Sequence, residues 1–470
     1  MKLLKFLLVL VPFSIVAAVA GFYGYIAFSV EPLLFSREQL IALGLLVAIG
    51  VTFLILFMPF SYILDEKPFR KMQWNRFLLF SIMLGAIGFL LVDIEPQSSP
   101  YSITDLQTQN PDTGSAAFLS RSLFKGQVER PVWVEEFKEK PQLLRDVTNY
   151  EEQIRKSWRQ IRTQRVVLEQ LAALESFPQP GVEYIQGGEL PDFMWLRDIA
   201  SIYQGYTLLS SRQGDLETAL NELNIIQQVA RKGFEGSPLF ISKMMWSDIL
   251  NMNLSTAYQL VEEYGLTGTD LERVAALFPP LSAQEMSTHN PWLGEYLAVK
   301  HQAAKGAPLM EGLVPEPSFI PAEWNVVETI YPYLYEGLYY LTFRKNMTDK
   351  LVDDTYVPLI KETEKKPVVS ADTWEEINAL SRKPTVRNLS GWYLFRSQGS
   401  VELGDMVVQV KVRSDLLALF LDGKQGRQRV IPDYFSGEEN KMKILNENLV
   451  SAGGDTVFDT DDDIRLNLLY

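Results

Sequence analysis

The chain has 470 residues, with 44 Lys+Arg against 58 Asp+Glu, two histidines, no cysteine and a formal charge of −14. That balance excludes a nucleic-acid surface, which needs a basic footprint. The missing cysteine excludes disulfides, thiolate nucleophiles and thiolate metal sites together.

Three apolar runs come first in chain order: Leu7 to Val30, Gln39 to Ile63 and Phe77 to Val92. Each approaches the ~20 apolar residues that cross a ~30 Å hydrocarbon core. Ala18-Val-Ala20 offers a cleavage motif, but the apolar stretch continues through Phe22, Tyr23, Tyr25 and Phe28, which favours a retained helix. Lys2 and Lys5 precede the first run, and Lys67, Arg70, Lys71 and Arg76 lie between the second and third. By the positive-inside rule this orients the chain. The expectation is a three-helix membrane anchor over 1–94, multi-pass in a bacterial inner membrane, amino terminus cytoplasmic and carboxyl-terminal body periplasmic. Small residues at helical spacing, such as Gly44, Ala48 and Thr52, suit packing among these helices or a homo-oligomer seam.

Residues 95–115 read as a linker broken by Pro96, Pro100, Pro111 and Gly114. From 116 to 383 the pattern predicts an extracytoplasmic, repeat-like domain of antiparallel helices. Ile154, Trp158, Ile161, Val166, Leu168, Leu171 and Leu174 predict an amphipathic helix over 150–174. Helices over 193–209 and 216–230 flank Gly214-Asp215. Leu216, Ala219, Leu220, Leu223, Ile226 and Val229 line the second one's buried stripe, and Asp215 is suited to cap it. Further helices are predicted at 238–264, closed by Gly265; at 270–278; from a Ser282/Glu285 capping box; at 333–363, with Tyr333, Tyr335, Tyr339, Tyr340 and Phe343; and at 406–421. The phrase Gly-Asp-x-x-x-Ala-Leu at 214–220 resembles the turn of a tetratricopeptide hairpin, without that family's 34-residue period. The resemblance implies antiparallel helix pairs.

Chemistry is sparse along this stretch. His289 and His301 sit in no zinc-type phrase, and no Gly-x-Ser-x-Gly elbow accompanies them. The pairs Glu135/Glu136, Glu151/Glu152 and Glu262/Glu263 project about 100° apart on a helix, so they read as solvated faces. Asn253, Asn346 and Asn388 each begin an Asn-x-Ser/Thr sequon.

Residues 384–470 predict a small α+β module with a short β-hairpin from strands near 441–445 and 447–451. Asp455, Asp459, Asp461, Asp462 and Asp463 follow within nine residues. Calcium takes six to eight hard oxygens, and so many carboxylates repel one another unless a cation or solvent screens them. An acidic tail left in water is the alternative. This phrase, with Pro432-Asp-Tyr-Phe-Ser-Gly437 before the strands, resembles the calcium-loop tail of type II secretion major pseudopilins over about residues 405–466. The resemblance implies one structural Ca2+ held by Asp455, Asp461 and Asp463, with Asp462 beside them. Asp459 stands where that family often has glycine, and the family's amino-terminal pilin helix has no counterpart here.

The fold expected is thus mainly α: a three-helix anchor, an antiparallel helical domain and the small α+β module. The function expected is a membrane-anchored interaction scaffold of the bacterial envelope, linked to secretion or pilus assembly. Its partners would be membrane lipids through 1–94, an envelope protein and a second copy of itself, but no nucleic acid. The alternative is a membrane-tethered hydrolase with a carboxylate-based site in the helical domain.

Overall fold

The structure is a computed structural model and describes residues 98–106, 123, 133–134, 147–176, 182–185, 191, 193–305, 345–370, 373, 377, 403–427, 442–445, 448–451 and 464–466. The chain divides into two compact units. Pro100–Ala298, Tyr356–Ser370 and Val401–Tyr470 make the larger; Met1–Ser99, Val299–Thr355 and Ala371–Ser400 make the other.

The larger unit begins with α1 (Glu151–Gln160) and α2 (Arg162–Ala173), separated at Ile161, where ψ of 17° interrupts the helix. The break resets the buried face. Val167, Leu168 and Leu171 are buried, whereas Val166, expected inside, is 48% exposed. After the single turn α3 (Val182–Ile185) come α4 (Phe193–Arg212) and α5 (Leu216–Glu235). The turn between them uses Gly214 at φ +81°, a conformation glycine adopts without steric cost. Asp215 then accepts from the Thr218 amide at 3.1 Å, as its position predicts. The next helix, α6 (Phe240–Tyr264), ends at a left-handed Gly265.

Side-chain pairs fix the directions. Arg197 meets Asp248 near the starts of α4 and α6, and the Tyr264 hydroxyl reaches the Leu208 carbonyl toward their ends, so these two run parallel. Lys243 meets Phe234, and Asn253 meets Gln227 farther along, so α5 runs the opposite way between them in sequence. On α6 the polar Lys243, Ser247, Asn253, Thr256 and Gln259 are buried along with Ile249, Leu254 and Tyr258. Most of its surface is enclosed, and a narrow stripe through Ile241, Met244, Asp248, Asn251 and Ser255 keeps some exposure. Asn253, the first residue of a sequon, is therefore a core amide.

Beyond α6 follow α7 (Gly268–Leu277) and α8 (Ala283–Met286). The Ser282/Glu285 box does open α8, but the helix lasts one turn. The Thr288 amide and hydroxyl both donate to the Pro367 carbonyl, at 2.8 and 3.0 Å, and α9 (His289–Lys305) starts afresh. Then come α10 (Lys345–Thr363) and α11 (Leu403–Lys424). The aromatic cluster predicted at 333–343 lies outside the described residues. Along α6, α11 is parallel: Phe420 meets Tyr258, with ring centroids 5.0 Å apart, and Lys424 meets Glu262 at 2.7 Å.

In the other unit, the last residues of α9 meet the first part of α10. Lys300 Nζ lies 2.9 Å from the Asp353 carboxylate and donates to the Asp349 carbonyl at 3.0 Å.

The carboxyl-terminal segment differs from the lone hairpin expected. β1 (Met442–Leu445) pairs antiparallel with β2 (Asn448–Ser451), and a third strand, β3 (Ile464–Leu466), pairs antiparallel with β2. The order is β1-β2-β3, and β2 and β3 lie against α11.

A larger correction concerns the membrane. Among the described residues no helix is long and apolar enough to cross one. The longest, α6, has 25 residues and carries Lys243, Asp248, Glu262 and Glu263. Ionisable groups at that density do not lie in hydrocarbon. The three apolar runs at 1–94 lie outside the described residues. On this finding the three-helix anchor, the inner-membrane location and the periplasmic body are withdrawn. What stands is a mainly helical protein.

Candidate functional site

Two groups of enclosed charged side chains stand out in the larger unit, and both are built by α5. The first lies at its carboxyl end. The last carbonyls of any helix lack intrahelical donors and carry partial negative charge. Here two lysines satisfy such carbonyls, and an arginine joins them to the connection before α8. Lys232 donates to the Ala172 carbonyl at the end of α2 at 2.6 Å, and also to that of Leu174. Lys243, with no exposed surface, donates to the Phe234 carbonyl at 2.7 Å and the Glu285 carbonyl at 2.6 Å, its ammonium 3.8 Å over the Phe234 ring. Arg231 grips both Glu285 carboxylate oxygens, at 2.7 and 2.8 Å, and donates to the Pro279 carbonyl at 2.6 Å. The ends of α2, α5 and α8 are thereby held to one another.

The second group lies midway along α5. Glu222 is buried, one carboxylate oxygen 3.6 Å from an Arg165 guanidinium nitrogen on α2. Its other oxygen has no hydrogen-bond partner among the described residues. Burial raises the Glu222 carboxyl above its ordinary range; Arg165 opposes this and Glu169 adds to it. Arg165 in turn covers one face of Trp158 at 3.9 Å, and Tyr206 stacks on that indole at 4.0 Å and 7°. The Tyr203 phenol, from α4, shares the site. Burial, then the Glu222 charge, pushes its ionisation far up. On the same helix Gly205 admits the Trp133 ring, which a Cβ there would meet at 2.9 Å. A carboxyl with one uncommitted oxygen, a guanidinium and a phenol can exchange a proton or hold a polar group of a ligand.

Of these residues the sequence marks only Glu285, as half of a capping box, and Trp158, as part of an apolar stripe; neither is marked as part of a site. Glu222 is three residues after Ala219 and four before Ile226, so it falls inside the predicted apolar stripe. A charge there was the legible signal. Lys243 is three before Trp246 and gave the same sign.

The residues that were singled out stand elsewhere. Asp455, Asp461, Asp462 and Asp463 lie outside the described residues, between β2 and β3 in the chain. Among the described residues no group of three or more His, Asp or Glu is placed to hold a metal ion. His289 opens α9 with its Nδ1 3.4 Å from the Thr363 hydroxyl, and His301 lies near that helix's far end, so the structure does not bring them together. Glu151 is bound by Arg155 at 2.9 Å and Gln213 at 2.8 Å, and Glu262 by Lys424, which makes both surface ties.

No family model, curated protein or solved structure matches the chain.

Proposed function

We propose that the chain is a helical interaction scaffold whose partner is a protein with a basic surface. The observation that carries this reading is the use made of Arg231, Lys232 and Lys243: each is bound to the ends of neighbouring helices, which stabilises a shape. The surrounding charge of −14 favours a basic partner through complementary potentials, which act chiefly on encounter rate and specificity. Met194 and Ile241 remain 45% and 38% exposed in the first turns of the parallel helices α4 and α6, hence at one end of the stack. That end is where we place the contact.

Site-specific photo-crosslinking tests this. A photoreactive residue at Met194 or Ile241 should capture a basic protein, less so as salt is raised. The same probe at Glu217, 79% exposed at the start of α5, should not. Capture of another copy of the chain would identify a homo-oligomer, and equal capture from all three positions would overturn the placement.

A second reading, a carboxylate-based hydrolase, is favoured by the uncommitted oxygen of Glu222 beside Arg165. The proposed calcium ion rests on the Asp455, Asp461, Asp462 and Asp463 phrase and its likeness to the pseudopilin loop, and so does any link to secretion or pili.

A further inference from the structure

The corner joining α5 to α6 holds two charges of opposite sign that do not neutralise each other: Lys243, fully buried, and Glu295, half-buried. Lys243 enters from α6. Its ammonium meets two carbonyl oxygens and the Phe234 ring. The carboxylates facing it belong to Glu235 on α5 and Glu285 on α8. That of Glu285 is already gripped by Arg231 and by the Ser282 amide and hydroxyl. Glu295 enters from α9. It accepts from the Phe240 amide at 3.2 Å, capping the first turn of α6, and the ionisable group facing it from α10 is Tyr356, itself enclosed. Among the described residues no cation lies within ion-pair distance of Glu295. The surrounding contacts are close. A Cβ at Gly294 would land on the Pro238 carbonyl oxygen, and one at Gly233 on the Trp246 ring. Phe240 meets Trp292 edge-on at 4.4 Å.

An enclosed charge without a counter-ion opposes folding, and losing that charge by proton exchange relieves the cost. We propose that this corner is a proton-operated joint, loosest when Lys243 and Glu295 are both charged and tightened when Glu295 gains a proton or Lys243 loses one. Either change keeps the hydrogen bonds, since a neutral amine still has two N–H groups for two carbonyls and a carboxylic acid still has an acceptor for the Phe240 amide.

The signs follow from linkage. Burial pushes Lys243 from its ordinary 10.5 down to about 7. Above about 7, therefore, the closed corner has shed a proton that an opened corner still binds, and opening becomes up to tenfold harder per pH unit. Burial pushes Glu295 from 4.5 up to about 7, its bond to the Phe240 amide opposing. Between those values the closed corner holds a proton the opened one has released, so opening becomes up to tenfold easier per pH unit as pH rises. The two branches meet near neutrality. There α8 and α9, the elements bound through Glu285 and Glu295, are most readily released from the corner.

The chain has no cysteine, so a thiol at the fully buried Ser237, introduced as Ser237→Cys in the full-length protein, reports opening without background. Its reaction with 4,4′-dithiodipyridine, corrected for the pH dependence of a free thiol, should give an opening constant that peaks near pH 7 and falls at least threefold by one unit to either side. Adding Glu295→Gln should flatten the acid branch alone, and adding Lys243→Met the alkaline branch alone. A profile that rises or falls steadily through neutrality overturns the joint, as does a peak unchanged by Glu295→Gln. If Lys243→Met does not fold, the parent profile and the Glu295→Gln profile remain decisive.

Discussion

At Gly294 one hydrogen atom decides whether α9 can reach the corner. A methyl group there would occupy the Pro238 carbonyl oxygen, which is backbone and cannot turn aside. Alanine gains roughly 1 kcal/mol over glycine in a helix interior, but overpacking a rigid contact costs about 3 kcal/mol. Gly294→Ala should therefore lower the free energy of urea unfolding by about 2 kcal/mol; no change or a gain would show that α9 does not sit as described. The same scale explains Lys243. Its ammonium donates to two carbonyls, so its burial costs less than that of an unbonded cation. Neither residue announces its role in the chain, because each role is set by an atom of another helix.

At the scale of elements, legibility tracked how each helix is surrounded. One face of α5 is buried and it begins after Gly214-Asp215, so its stripe, cap and turn could all be read directly. Buried over most of its surface, α6 mixes polar and apolar residues on its enclosed faces, so periodicity alone does not show its contribution to the corner. The periodicity over 150–174 predicts one helix because no residue at 161 marks a break; the break at Ile161 turns Val166 to solvent. Glu222 interrupts an apolar stripe, and its partner Arg165 belongs to another helix, so the pair is not visible along the chain. The acidic phrase is the connection between β2 and β3, two strands that pair with each other. Its two ends are thus held near one another, which suits a structural ion. Calorimetric titration of the full chain with calcium should give a binding heat that Asp461→Ala abolishes. If both proteins return only dilution heat, the acidic phrase is solvated and the calcium assignment falls.

For the molecule as a whole, the alternating directions of α4, α5 and α6 set where each functional group lies. That arrangement places Met194 and Ile241 in the first turns of two parallel helices, brings the ends of α2, α5 and α8 within reach of Arg231, Lys232 and Lys243, and puts Glu295 on the first turn of α6. It also separates the two ends of the stack, so that Glu217 serves as a control in crosslinking. Because the chain has no cysteine, paired spin labels can be introduced without other changes. Double electron–electron resonance between labels at positions 194 and 241 should give a short distance. Labels at 194 and 217 should be about 30 Å apart, the length of a 20-residue helix at ~1.5 Å per residue. Equal distances for the two pairs, or a longer one for 194 and 241, would contradict the alternating stack and the functional reading built on it.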